Sequence, residues 1–268
     1  MRRLILPLLL IAGLDGVFIA YAEPEKPSAS RGFELLLEKP YLPSAFDQAL
    51  FDEIWRAWPE PQRSRAEEAT ADERRRMAWR RYGLTARPDA SDPRPLQYVV
   101  TEDGRWAMSC LACHAGQVGG RSMPGLPNTT LALQTFAEDV VRTKRVLEIP
   151  LLPEERMLGF FPLGRTNGTT NAVMFSVSLL TFRNEHLDLV TPERRWPFVH
   201  HDLDAPPWWH FKKRKRLYVD GFAPKAVRPL LQFTLTPKNA GETVRGWEGD
   251  FEHVFAYLES LEPPPSPL

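Results

Sequence analysis

Cys110-Leu111-Ala112-Cys113-His114 is the one run in which residue type and spacing together specify a chemistry. Two cysteines three positions apart can each form a thioether to one of the two vinyl groups of a porphyrin. The residue that follows can then turn its imidazole toward the iron, and C-x-x-C-H is the spacing of covalent haem attachment. The competing readings explain less. A thioredoxin-like dithiol shares C-x-x-C but calls for a βαβ unit, and it leaves His114 without a role. A zinc centre needs four ligands, and the adjacent His200 and His201 are poorly set to complete a tetrahedron. A disulfide across two intervening residues is strained. The expected cofactor is one covalent haem c held by Cys110 and Cys113, with His114 as an axial metal ligand.

A haem iron has a second axial position. Methionine or histidine there suits electron transfer, and an open position suits dioxygen or peroxide chemistry. Candidates are Met174, Met123, Met108, Met157, His210, His200 and His201. Met174, sixty residues beyond His114 and just after the polar Gly164–Asn171 turn, is the first choice. Its apolar surroundings, Ala172 to Leu180, equally suit a core methionine. Met108 lies too close to the motif to reach the opposite face, and Met123 suits loop packing. Arg165 and Asn167, with Asn171, could bond a haem propionate or a distal ligand, an arginine fork being well matched to a carboxylate; a turn satisfying its own backbone is the competing reading. Trp208 and Trp209 could line the haem edge or simply pack. Lys212–Arg216 could dock an acidic redox partner or phospholipid headgroups, or be a solvated loop. His186 and His253 read as surface or structural residues.

The elements that must position this motif are helices broken by proline. The chain has 268 residues, 26 of them proline against a usual ~5%, so short helices joined by stiff connections are expected. Apolar spacing predicts helices over 44–58 with Ser44 as N-cap, 70–82 ended by Gly83, 131–147, and 248–261, with an apolar run at 172–180. Gln97–Val100 reads as a short strand, 116–128 as a glycine-and-proline loop, and 191–230 as mostly irregular. The expected class is mainly α. Domain reading gives a signal segment at 1–22, a polar tether at 23–43, a haem domain at 44–261 and a Pro-rich tail at 262–268.

The leader decides the compartment. Arg2 and Arg3 precede the apolar Leu4–Leu14, and Ala20-Tyr21-Ala22 fits small-x-small cleavage before Glu23; an uncleaved anchor is the alternative. Either places the rest of the chain outside the cytoplasmic membrane, in the periplasm. With 34 basic and 34 acidic residues the formal charge is zero, which offers no electrostatic case for nucleic acid. Two cysteines are too few for a disulfide framework.

Taken together, several segments resemble a known family. Cys110–His114 with the following Ala-Gly, Pro124-Gly-Leu-Pro-Asn128, Pro162–Asn171, Ala205-Pro-Pro-Trp-Trp209, Tyr218-Val-Asp-Gly221 and the closing Phe255–Leu261 helix are similar to the N-terminal haem domain of bacterial periplasmic dihaem cytochromes. These are distant kin of dihaem peroxidases and rubber-oxygenase-type enzymes. The resemblance implies a cytochrome c-like haem domain with long Pro-rich irregular insertions. It also implies a redox partner protein, which could be a second haem domain. The family carries a second C-x-x-C-H after the Pro-rich tail, and the sequence has none. The expected function is electron transfer by an exported c-type cytochrome; the alternative is a peroxidase or oxygenase domain with an open distal site. Gly-x-Ser-x-Gly, phosphate-loop and metalloprotease motifs are absent from the sequence.

Overall fold

A computed structural model describes residues 26–89, 92–156, 163–192 and 201–265. The leader at 1–22, Met157, His200 and Phe160 to Pro162 lie outside the described residues. Among these residues helix accounts for 46% and strand for 13%, the strands forming small sheets. The fold is therefore mixed and helix-rich, which corrects the mainly-α expectation. Short apolar pairs flanked by turns, such as Phe46 and Trp106, become strands because they pair across the chain, a long-range event that helical periodicity does not register.

The first element corrects the expected tether at 23–43. Helix α1 (Ala29–Glu38) starts at Ser28, whose hydroxyl accepts the Arg31 N–H, and buries Gly32, Leu35 and Leu36. The proline-rich flanks hid a sound amphipathic face. Next come β1 (Phe46–Asp47) and α2 (Gln48–Glu53), capped by the Asp47 carboxylate rather than by Ser44, then a 3-10 turn at Ile54–Ala57. The single helix expected over 44–58 is thus three pieces.

Helices α3 (Gln62–Glu68) and α4 (Ala71–Tyr82) follow. Thr70 and Glu73 form a reciprocal capping box on α4, and Gly83 ends it at φ 68°, where glycine avoids the left-handed Cβ clash. Strands β2 (Tyr98–Val100) and β3 (Arg105–Met108) form an antiparallel sheet in the order β1-β3-β2. Arg87 ties this sheet to α1: its buried guanidinium donates to Leu37 O at 2.8 Å and to Tyr98 O at 3.1 Å.

Helix α5 (Leu111–His114) is a single turn that runs directly into the hairpin β4 (Ala115–Val118) and β5 (Arg121–Pro124). The expected loop at 116–128 is half strand. Gly119 and Gly120 both have positive φ, 57° and 78°, which a two-residue primed turn demands of its central pair.

The rest comprises α6 (Leu133–Val146), α7 (Pro153–Arg156), β6 (Thr169–Thr170), α8 (Ala172–Thr181) and β7 (Leu203–Asp204), with β6 and β7 paired. A 3-10 helix at Trp208–Lys213 leads into β8 (Arg216–Leu217) and β9 (Ala223–Pro224), a second antiparallel pair. Helices α9 (Val227–Leu230), α10 (Gly241–Gly246) and α11 (Glu248–Ser260) close the chain, with a 3-10 turn at Leu231–Thr234. The predicted helices at 70–82, 131–147 and 248–261 are present to within two residues.

Packing gathers these elements into three apolar clusters. The first joins α2, α4, α6 and the sheet through Phe46, Phe51, Tyr82, Trp106 and Phe136. The second joins Leu35 and Leu36 of α1, Leu111 of α5, Phe211 and the Val254, Tyr257 and Leu258 face of α11. The third holds Tyr41, Leu231, Leu235, Val244 and Phe251. Helices α1 and α11 cross so closely that a Cβ on Gly32 would lie 2.1 Å from His253 O. Phe33 meets Tyr257 beside that crossing, with ring centroids 5.2 Å apart. His253 Nδ1 accepts the Ser28 N–H at 3.0 Å, a structural role as expected.

Candidate functional site

Three backbone restraints place the turn that carries Cys110, Cys113 and His114. Leu111 and Ala112 are fully buried in the core beneath it. Asn128, 2% exposed, donates its N–H to Cys113 O at 2.9 Å and its side-chain amide to Gly83 O and Ala112 O. Its Oδ1 accepts from Thr130, so the whole amide is used. Buried Gln97 reaches from the other side: its amide donates to Ala115 O and Thr85 Oγ1 and accepts the Thr85 N–H. Asn128 and Gln97 are functional in this positioning sense, and sequence reasoning missed both roles. The available signal was a glutamine opening an apolar strand and an asparagine ending a Gly/Pro loop.

Around His114 the contacts form a closed ring. Gly125 N–H donates to His114 O at 2.7 Å, and Trp208 N–H donates to Gly125 O at 2.9 Å. The Trp208 ring stacks on the His114 ring, centroids 4.3 Å apart and planes 19° apart. His114 Nδ1 lies 3.1 Å from Pro206 O. A carbonyl oxygen can only accept, so Nδ1 carries the proton and Nε2 keeps its lone pair. Trp209 packs on the Gly125 backbone, its indole 3.1 Å from where a Cβ on Gly125 would stand; with φ at 89°, that position suits glycine on both counts.

Protonation points the same way. Burial pushes the His114 imidazole down to about 4, the Pro206 hydrogen bond opposing part of that shift. At neutral pH it is the uncharged, lone-pair form. Burial raises the Cys110 thiol to about 11 and the Cys113 thiol to about 12, with Cys110 adding to the latter. Yet Cys110 is exposed, and Cys113 and His114 are only half-buried. Burial also raises the Tyr41 and Tyr218 phenols, with Asp250 adding to the shift at Tyr41. Both cysteines are free thiols, so the disulfide reading is not realised. Two unpaired, solvent-reachable thiols and one oriented imidazole nitrogen fit a covalently tethered haem.

The other sequence candidates are placed elsewhere. Arg165 and Asn167 are exposed, and among the described residues neither side chain bonds to the motif. Their turn is held through its backbone: Arg165 N–H donates to both Asp202 oxygens at 3.2 and 3.0 Å, and Gly168 N–H donates to Leu131 O. Asn171 is fully buried, and its Oδ1 accepts the His201 N–H at 3.1 Å. Met174 is half-buried on α8, which packs on the 231–234 turn. Met108 packs against the first core cluster, and Met123 sits on β5 opposite Gly116. His210 and His201 are exposed.

No family model, curated protein or solved structure matches this chain. Among the described residues, no three His, Cys, Asp or Glu side chains gather as a metal-holding group; a haem iron asks the protein for one nitrogen and, in closed sites, one more ligand. No helix among the described residues is long and apolar enough to cross a membrane. A cavity of about 730 Å³ opens between Leu180, Leu187, Phe222, Gln232 and Val244, and none of the motif residues line it.

Proposed function

We propose that this protein is an exported c-type cytochrome that carries electrons. The observation that carries the proposal is the His114 arrangement. Beside two free thiols at haem-attachment spacing, the ring is neutral, pinned through Nδ1–H to Pro206 O and stacked on Trp208, so that Nε2 is the free nitrogen. Cys110 and Cys113 would tether the haem, and His114 would ligate its iron. The haem supplies a one-electron iron couple. The chain supplies rigidity: Trp208 and the Pro206 carbonyl restrict rotation of the ligand ring, while Asn128, Gln97 and Gly125 fix the backbone it hangs from. A ligand held this way moves little between oxidation states, which suits a carrier. For the second ligand we keep Met174 on its distance along the chain alone, sixty residues beyond His114. Export rests on the Arg2-Arg3 and Leu4–Leu14 leader.

The test is expression with haem-maturation machinery. The wild-type chain should keep a haem-stained band on a denaturing gel, and C110A/C113A should lose it. A wild-type chain without that band rejects the proposal. In the same preparation, Met174→Ala should abolish the weak long-wavelength absorption band of Met–iron ligation.

A further inference from the structure

We infer that the segment 208–222 is the docking surface for an acidic redox protein, a reading that rests on the proposed haem function. This segment touches the motif: Trp208 opens its 3-10 helix and stacks on His114. The same helix then delivers cations to the surface. Its period of three turns Trp208 and Phe211 to the same side, Phe211 buried, and leaves Lys212 and Lys213 exposed, with Lys215 and Arg216 exposed beyond it.

Charge on this surface is only partly answered. Lys212 pairs with Glu262, and Lys225, which lies over the Phe211 ring, pairs with Glu259. Lys213, Arg214 and Lys215 have no ion pair among the described residues. Arg216 is tied to the carbonyls of Gly221 and Phe222, which leaves its charge uncancelled. Asp220 turns its carboxylate onto the Phe222 N–H. The chain as a whole is formally neutral, so a local excess of cations gives it direction rather than a general attraction for anions.

Beside the cations the β8–β9 loop presents an apolar tip. Val219 is 71% exposed and Phe222 43%, and Phe222 is braced by stacking on Tyr218 at 5.0 Å. A small apolar centre rimmed by unpaired cations is the anatomy of a transient protein interface. A protein partner is favoured over an anionic membrane because the occupant has to bring a redox centre to the Trp208–His114 stack, and a lipid headgroup carries no electron.

The experiment uses the haem-loaded chain and flavodoxin hydroquinone as an acidic one-electron donor. One electron passes from the flavin to ferric iron, giving the semiquinone and ferrous iron. The second-order rate should fall about tenfold from low to high ionic strength as the attraction is screened. Lys213→Glu with Lys215→Glu should lower the low-salt rate by a similar factor and flatten the salt dependence. Reduction by the cation hexaammineruthenium(II) should not fall with these substitutions, and an unchanged haem spectrum certifies the fold. Flavodoxin rates indifferent to the substitutions overturn the docking surface. So does loss of pelleting with phosphatidylserine vesicles at an unaltered flavodoxin rate, which would assign the cations to a membrane. A chain that carries no covalent haem overturns the function itself, and with it this surface.

Discussion

The Asn128 amide works at both ends: two N–H groups go to Gly83 O and Ala112 O, and its oxygen takes Thr130. It joins the end of α4 to the turn that bears the cysteines. Truncation leaves two buried carbonyls without donors, each worth about 1–3 kcal/mol. Asn128→Ala should therefore lower the unfolding free energy by about 2–6 kcal/mol, seen as a lower denaturant midpoint at an unchanged slope. It should also reduce the fraction of chains bearing covalent haem, because the thiols lose their fixed spacing. An unmoved midpoint would show that the amide does not hold this turn. Arg165 carries the opposite lesson: an arginine on a glycine-flanked turn looks like a carboxylate clamp in sequence, but its backbone N–H, held by Asp202, is what anchors the turn.

Among elements, the α1–α11 crossing joins the two ends of the described chain. Gly32 and the Phe33–Tyr257 contact set its closeness. Helix propensity and packing make opposite forecasts for Gly32→Ala. Propensity alone would stabilise α1 by about 1 kcal/mol. The added methyl, however, meets the His253 carbonyl, and overpacking of that kind costs about 1–3 kcal/mol. The expected outcome is a lower melting temperature, by about 5 °C for a chain of this size. A higher one would mean that the helices separate without cost. The crossing also explains the misread tether: Leu35 and Leu36 need α11 to bury against, and more than 200 residues separate the two helices.

Across the whole molecule, α11 serves two cores at once. Val254, Tyr257 and Leu258 belong to the cluster that contains Leu111 of α5, and Phe251 belongs to the cluster around Tyr41. Phe251 is 1% exposed and meets the Tyr41 ring edge-on at 4.9 Å. Phe251→Ala should cost about 3–5 kcal/mol. Because one rigid helix links the clusters, far-UV circular dichroism and tryptophan fluorescence should shift together in a single transition. Separated transitions would mean that the clusters fold independently.

Local chemistry was legible in the chain without any fold. The Cys110–His114 spacing, the Gly83 stop of α4, and the apolar stripe of α11 all depend on residues within a few positions of one another. Backbone geometry relates such residues in any context. What pins the motif is of another kind. Pro206 lies 92 residues from His114, Gln97 bonds across 18 residues to Ala115, and α1 closes on α11 across the length of the domain. Which nitrogen of His114 keeps its lone pair, and which aromatic ring lies flat on it, was decided only when the folded chain brought the 205–209 segment over the motif. Hydrogen bonds and stacking act over a few ångströms, and distance along the chain does not determine distance in space.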